Sequence, residues 1–334
     1  MAKPQRLVTL GGGTGAPVVI QSLLLAGFKD ITAITASMDS GGRTGHLRSD
    51  ERDRVIAVSD LLRTLLSLIP PRSNHLSRIA AFTSLAEFTD GRNRNLGYTL
   101  YYALLEKYRN DFSAVQKHLE QLLDLHFSGT AIPVTLQPTH IHFSTTSGQQ
   151  FIGEHELDRQ SMSKNTITDI WLDPQVPATP QALAAITSAS HIIYCPGSLY
   201  GSIIANFLPF GITTALHASR ARKILISNLV STRNQTHKFT PADYLHVFQK
   251  YTRLKKPFDI VVSPHLSSSQ FTSQFPRVSA NYDTEHSYFL GLDHPGPQPK
   301  DTKIIREDIF SITPHLNRIR HDSHKLARVL RRII

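Results

Sequence analysis

The sequence predicts an α/β fold, a doubly wound and mostly parallel sheet carrying a small antiparallel β-subregion. Three observations carry that prediction. Short apolar runs suited to buried strands alternate with segments of helical spacing, which is the rhythm of a parallel sheet. The first run, Leu7 to Leu10, stops at the cluster Gly11-Gly12-Gly13-Thr14-Gly15-Ala16, and a helix-like apolar segment follows from Val18 to Leu25. Further on, Ile132–Leu136, Ile141–Ser144 and Gln150–Ile152 are short and alternate apolar with polar residues, the pattern of antiparallel strands.

The first βαβ unit is expected as strand Leu7–Leu10, helix Pro17–Ala26 and strand Ile31–Ser37. A second glycine-rich loop, Asp39-Ser40-Gly41-Gly42-Arg43-Thr44-Gly45, ends that second strand. Val55 to Leu68 reads as an amphipathic helix, broken by Pro70-Pro71-Arg72-Ser73-Asn74. Leu96–Tyr108 and Phe112–Leu123 fit helical apolar spacing. The three alternating segments, joined by Gln137-Pro138-Thr139 and Thr146-Ser147-Gly148, are expected as a β-hairpin insertion over 131–160. The α/β rhythm then resumes. Pro180–Ser188 is a helix, His191–Cys195 a buried strand and Pro196-Gly197-Ser198 a loop, with further β-rich runs at Lys223–Ser227 and Asp259–Ser263. Residues 264–300, rich in Ser, Pro and His and without period, read as a loop or lid, and the whole of 1–334 as a single domain without internal repeats.

With 40% apolar residues in 334, the chain can bury a substantial core, and no apolar run approaches the ~20 residues a membrane helix needs. Met1 to Arg6 leads straight into a strand, an arrangement expected to leave no room for a signal peptide. The single cysteine, Cys195, rules out an internal disulfide framework and a multi-cysteine zinc site, and it fits a reducing cytoplasm. The net charge of +10 implies anionic partners, with a local basic excess in Arg318, Arg320, Lys325, Arg328, Arg331 and Arg332. No nucleic-acid-binding motif or aromatic–basic platform accompanies it, so a solvated basic helix face is expected over Lys325 to Arg332.

The loop after the first strand is where ligand chemistry is expected. Glycines allow positive φ and close approach to the main chain, and N–H groups at a helix N-terminus favour an anion, usually a phosphate. The loop ends in Gly15-Ala16-Pro17 and lacks the Gly-Lys-Ser/Thr of an ordinary ATPase or GTPase. Gly11, Gly13 and Ala16 fit dinucleotide spacing, and Asp39 follows the second strand, so an NAD(P)-dependent oxidoreductase stays open. In an open parallel sheet ligands bind at the carboxyl ends of the strands. That places Asp39, Pro196–Ser202 and Asn228 near the glycine loop, with Asp60 near the start of the next helix. Asp39 and Asp60 beside a phosphate cradle point to magnesium, which prefers oxygen ligands and borrows some from phosphates. For Asp60 a helix N-cap is the alternative.

The segments Leu10–Gly15, Asp39-Ser40-Gly41-Gly42, Cys195–Ile204 and Ser227-Asn228-Leu229 resemble the 2-phospho-lactate transferase (CofD) superfamily. The ending Ile319-Arg320-His321-Asp322-Ser323-His324-Lys325-Leu326-Ala327 is closer to one branch, the YvcK-type gluconeogenesis factors. The resemblance covers nearly the whole chain in order and implies a Rossmann-like fold. In the transferase branch it implies a nucleotide-activated phospholactate donor, a deazaflavin acceptor and a divalent metal. In the YvcK-type branch it implies a UDP-sugar-binding role in cell shape and carbon use, without established catalysis. By matching position, Gly11, Gly12, Gly13, Thr14, Gly15, Gly197, Ser198 and Asn228 would hold the nucleotide part. Asp39 and Asp60 would serve the metal, and Arg320 the UDP-sugar. The expected partner is therefore a UDP-sugar or another nucleotide-linked metabolite, and a homo-oligomer stays open.

This sequence also departs from the family. Asp39-Ser40 stands where two aspartates are usual, and Arg43-Thr44 where two small hydroxyl residues are. Val58-Ser59-Asp60-Leu61-Leu62-Arg63 replaces Pro-Gly-Asp-Ile-Arg-Asn, and Gly97-Tyr98 a Gly-Asn pair. The losses around one site favour a regulator over a transferase. Two further features read as ordinary structure, and a third stays open. Cys195 fits a buried core thiol, since no base stands beside it in a recognisable pattern. His140 and His142 share a strand face without a third ligand, in a surface hairpin; His321 and His324 either orient a phosphate, or His324 only begins the terminal helix.

Overall fold

In the computed structural model, seven parallel strands lie side by side in the order Lys303–Glu307, Ile260–Pro264, Arg222–Ile226, His191–Tyr194, Leu7–Gly11, Ile31–Thr35 and Gly129–Pro133. The structure describes residues 5–41, 44, 48, 55–158, 166–232, 234–291, 301–313 and 315–334. The N-terminal half comprises β1 (Leu7–Gly11), α1 (Gly15–Leu25), β2 (Ile31–Thr35), α2 (Ser59–Ser67), α3 (Leu76–Glu87), α4 (Leu96–Lys107), α5 (Phe112–Leu123) and β3 (Gly129–Pro133). A separate antiparallel sheet of β4 (His140–Thr145), β5 (Gln150–Ile152) and β6 (Ile167–Asp173) follows, in the order β5-β4-β6. The chain then returns to the main sheet through α6 (Pro180–Ser188), β7 (His191–Tyr194), α7 (Ile212–Ala218), β8 (Arg222–Ile226), α8 (Pro241–Thr252) and β9 (Ile260–Pro264). Helices α9 (Ser268–Gln274) and α10 (Pro276–Thr284), strand β10 (Lys303–Glu307), the ribbon β11 (Phe310–Thr313)–β12 (Arg318–His321) and α11 (Ser323–Ile333) complete it.

Burial explains why the central strands read so clearly. β1 is buried along its whole length, and Ile192, Ile193, Tyr194, Ile224 and Ile226 of β7 and β8 are buried beside it. Strands covered on both faces carry continuous apolar runs. The chain reverses its direction of travel across the sheet at β1, whose neighbours are β2 and β7. The loops leaving β1 and β7 therefore border one crevice at the carboxyl ends of the strands, where open α/β sheets hold ligands.

Three local expectations differ from the structure. Val55 to Val58 are not helical, and α2 begins only at Ser59. Ile132 and Pro133 belong to β3, which pairs in parallel with β2, so the antiparallel region draws its third strand from β6 instead. β3 lies at the sheet's edge, where Gly129 and Thr130 are only partly buried. Within 264–300, expected as a loop or lid, α9 and α10 occupy much of the described part, while 292–300 lie outside the described residues. Both helices carry start signals that outweigh poor periodicity: a Ser267/Gln270 capping box and Pro276 in the first turn.

The basic C-terminal helix is partly structural. Arg331 donates from Nε to Ala26 O at 3.1 Å and from Nη2 to Leu25 O at 3.0 Å. A cation thus meets the carbonyl-rich end of α1, the favourable sense for the helix dipole. Lys325 pairs with Asp308 at 2.8 Å and Arg332 with Glu307.

Candidate functional site

Two loops meet because Gly15 lets them. A Cβ at Gly15 would lie 1.9 Å from the carbonyl oxygen of Pro196, so only glycine permits this contact between the β1 and β7 loops. Gly13 takes φ +60, a left-handed conformation that bulky residues rarely adopt. Asn206, fully buried, donates from Nδ2 to Gly11 O at 3.2 Å and to Ser202 O at 2.7 Å, tying the loops together from beneath. Thr14 occupies the N-cap position of α1 but its side chain makes no capping bond. At the start of α1 the Ala16 N–H reaches back to Gly12 O at 3.5 Å and Pro17 has no N–H.

Of the expected residues beyond β7, Gly197, Ser198 and Asn228 do come together with this loop. A Cβ at Gly197 would stand 3.7 Å from Gly12 O. The Asn228 side chain grips Gly197 twice: its Oδ1 accepts the Gly197 N–H at 2.8 Å and its Nδ2 donates to the Gly197 carbonyl at 2.8 Å. Ser198 caps the helical turn Leu199–Ile203, accepting from Gly201 N at 3.1 Å, and its hydroxyl donates to Gln235 Oε1 at 2.8 Å. Both side chains therefore shape the loop. Cys195, just before it, is fully buried, and burial pushes its thiol pKa well up, away from thiolate chemistry.

The acidic residues reach the site from the end of β2 and from α2. Asp60, 8% exposed, accepts the Gly13 N–H on Oδ2 at 2.6 Å and Arg63 Nη1 on Oδ1 at 2.7 Å. It lies inside α2, whose N-cap position is Val58, so it does not cap the helix as the alternative reading had it. Burial raises its pKa most, the Gly13 N–H and Arg63 pull it back, and the Asp39 charge raises it further. Asp39 accepts Gly41 N on Oδ1 at 2.8 Å and the Ser59 hydroxyl on Oδ2 at 3.2 Å. Gly42 and Arg43 lie outside the described residues.

Among the described residues, no three His, Cys, Asp or Glu side chains converge to hold a metal ion. Asp39 and Asp60 therefore form no cage alone. They fit magnesium only in its usual manner, one or two carboxylates completed by a nucleotide's phosphates. His142 pairs loosely with Asp173 at 3.9 Å and leans on Trp171, in keeping with a surface hairpin.

Arg320 lies on β12 next to His321, and its described contact is with its own strand rather than with the glycine loop. Its side chain is exposed and donates from Nη1 to the Ile319 carbonyl at 3.1 Å. His321, alternate to it along β12, turns inward and donates from Nε2 to Ser227 O at 3.0 Å. Burial pushes the His321 pKa down to about 4, so the ring is neutral.

Three neighbours of the site were absent from the sequence reading. Arg48, 1% exposed, donates to the carbonyls of Met38, Asp39 and Thr139 at 3.1, 3.1 and 2.9 Å, pinning the Asp39 loop from inside. His155 shares a hydrogen bond with Ser40 at 3.0 Å, and Glu154 Oε1 lies 2.4 Å from a Cβ built at Gly201. The last two lie in the turn Glu154–Asp158 just after β5, from which His155 meets Ser40 across 115 residues and Glu154 meets Gly201 from earlier in the chain, so neither contact is local in sequence.

The sequence profile of the 2-phospho-L-lactate transferase CofD family matches residues 7–310. A Thermotoga maritima protein provisionally named a gluconeogenesis factor is 30% identical over 98% of this chain and 99% of its own. The Bacillus subtilis gluconeogenesis factor is 26% identical over 99% of this chain and 98% of its own. A crystal structure of a UPF0052 family member from Bacillus halodurans superposes with a TM-score of 0.81 at 23% identity, covering 99% of both chains, which establishes the shared fold.

Proposed function

Since the chain belongs to the CofD family, with gluconeogenesis factors among its relatives, we propose that it is a regulator binding a nucleotide-linked metabolite, a UDP-sugar foremost. One observation supports this most: the Gly11–Gly15 loop and the Pro196–Ser202 loop face a single crevice at the carboxyl ends of β1 and β7. Backbone donors there suit a pyrophosphate, and Arg320, one residue from the His321–Ser227 contact, is the candidate for the sugar end. A role in carbon use, and more remotely in cell shape, rests on the likeness to gluconeogenesis factors. A reducing compartment suits the lone buried thiol. Among the described residues no helix is long and apolar enough to cross a membrane.

A second reading is a magnesium-dependent transferase that moves a phosphorylated hydroxy acid from a nucleotide donor to a hydroxyl. The pairing of Asp39 and Asp60 beside the glycine loop favours it. Bound magnesium would there draw charge from the phosphates, while Gly13, Gly197 and their supports orient them. The NAD(P) reading is the weakest of the three. The Asp39 carboxylate that would take a ribose hydroxyl already receives Gly41 N–H and Ser59 Oγ–H.

The deciding experiment is a thermal-shift and calorimetric screen of UDP-sugars, GDP and NAD(P), each with magnesium and with EDTA. A folded-state ligand at 100 times its Kd should add about 2.7 kcal/mol to stability. The regulator reading expects UDP-sugar binding that survives EDTA and produces no turnover. It also expects Gly13→Val, folded but forbidden φ +60, to lose that binding. Magnesium-dependent consumption of the nucleotide would replace it with the transferase reading.

A further inference from the structure

The glycine loop already has an anion seated on it. Asp60 Oδ2 accepts the Gly13 N–H at 2.6 Å, and the same oxygen lies 2.6 Å from where a Cβ of Gly12 would stand. The carboxylate therefore rests directly over the loop backbone. On its far side Arg63 holds the other oxygen at 2.7 Å, and Arg63 stands where the resembled pattern has asparagine. Asp60 is largely shielded from solvent at 8% exposure, so little water screens it from a second anion arriving alongside.

From this geometry we propose that Asp60 is an internal stand-in for the ligand's phosphate, and that it yields the Gly13 N–H when a phosphate arrives. Arg63, 39% exposed and within reach of solvent, then turns from Asp60 to the incoming phosphate. The inference rests on the nucleotide-binding reading and adds its regulation: the Gly13 N–H is held by a contact that the ligand must displace. The two members of one ion pair thus act in opposite senses on affinity, Asp60 as competitor and Arg63 as the cation that donates to the phosphate.

The test measures affinity for inorganic pyrophosphate and for UDP by calorimetry, in EDTA and in magnesium. It compares the wild type, Asp60→Asn, Asp60→Ser and Arg63→Gln, each confirmed folded by circular dichroism. The expected result in EDTA is affinity at least fivefold tighter in both Asp60 variants and at least tenfold weaker in Arg63→Gln. Two results would overturn the proposal while leaving nucleotide binding intact. One is weaker binding in the Asp60 variants as well, meaning the carboxylate only supports the loop. The other is an Asp60 effect confined to magnesium, meaning it is a metal ligand. Failure of the wild type to bind either anion would remove the underlying reading and this proposal together.

Discussion

Asn228 makes the sharpest claim about what holds the crevice open. Its amide satisfies both backbone groups of Gly197, each at 2.8 Å, and only one orientation of the amide works, oxygen to N–H and nitrogen to C=O. Each such bond contributes about 0.5–1.5 kcal/mol net, so Asn228→Ala should cost about 1–3 kcal/mol. Gly197 is only partly buried, and water reaching its freed groups favours the lower half of that range. Asn228→Asp keeps an acceptor for the N–H but sets a carboxylate oxygen against the Gly197 carbonyl. It should therefore destabilise although it is nearly isosteric. Urea denaturation at neutral pH measures the stability of all three proteins, and UDP titration measures the crevice. Both variants should lose more affinity than their stability loss explains, because Gly197 is no longer held beside Gly12. An Asn228→Asp protein as stable as the wild type, with unchanged ligand affinity, would refute the double clamp.

Further outcomes follow from single contacts. Gly15→Ala should lose at least about 1–3 kcal/mol, since its Cβ meets Pro196 backbone at 1.9 Å, whereas Gly91→Ala, with nothing within 4 Å, should be near neutral in the same melt. The His321 pKa of about 4 lies below the unfolded 6.5, so only the unfolded chain takes the proton between those values. Stability should be full above about pH 6.5 and fall by at most about 3 kcal/mol as pH drops to 4; His321→Gln should flatten that fall, and superimposable acid titrations of the two proteins would contradict it. Cys195 should resist iodoacetamide in the native protein and react only on unfolding, so rapid native labelling by mass spectrometry would show that its burial is misjudged.

The parallel sheet was legible because its middle is buried on both faces. Leu7 to Leu10 and His191 to Cys195 are apolar runs that few other structures accommodate, and the glycines that end the first mark the turn into α1. Legibility fell where burial became one-sided. β3 at the sheet edge resembled the antiparallel segments after it, and β6 carries polar Thr168 and Asp169 among its apolar residues. Residues 264–300 lacked period because α9 buries only Phe271, so its capping box was the better signal.

The site divides along a different line. Backbone requirements are local, so the sequence showed where main chain would approach a ligand: Gly13 needs its positive φ and Gly15 its missing Cβ, whatever the rest of the chain does. Side-chain roles are not local. Asp60 reaches the Gly13 N–H across 47 residues, Asn228 reaches Gly197 across 31, and Arg48 reaches Thr139 across 91. A carboxylate, an amide and a guanidinium each have several possible partners, and only the fold assigns them. Asn228 has both ends of its amide occupied by Gly197, and Ser198 its hydroxyl by Gly201 and Gln235. Their contribution to binding is thus to fix the loop in advance, which lowers the ordering cost that a ligand would otherwise meet. Asp60 and Arg63 are poised differently, since their mutual charge can be exchanged for that of a phosphate. That distinction between fixed supports and exchangeable charges is what mutagenesis of the two groups should expose: stability and affinity falling together for Asn228, and affinity moving in opposite directions for Asp60 and Arg63.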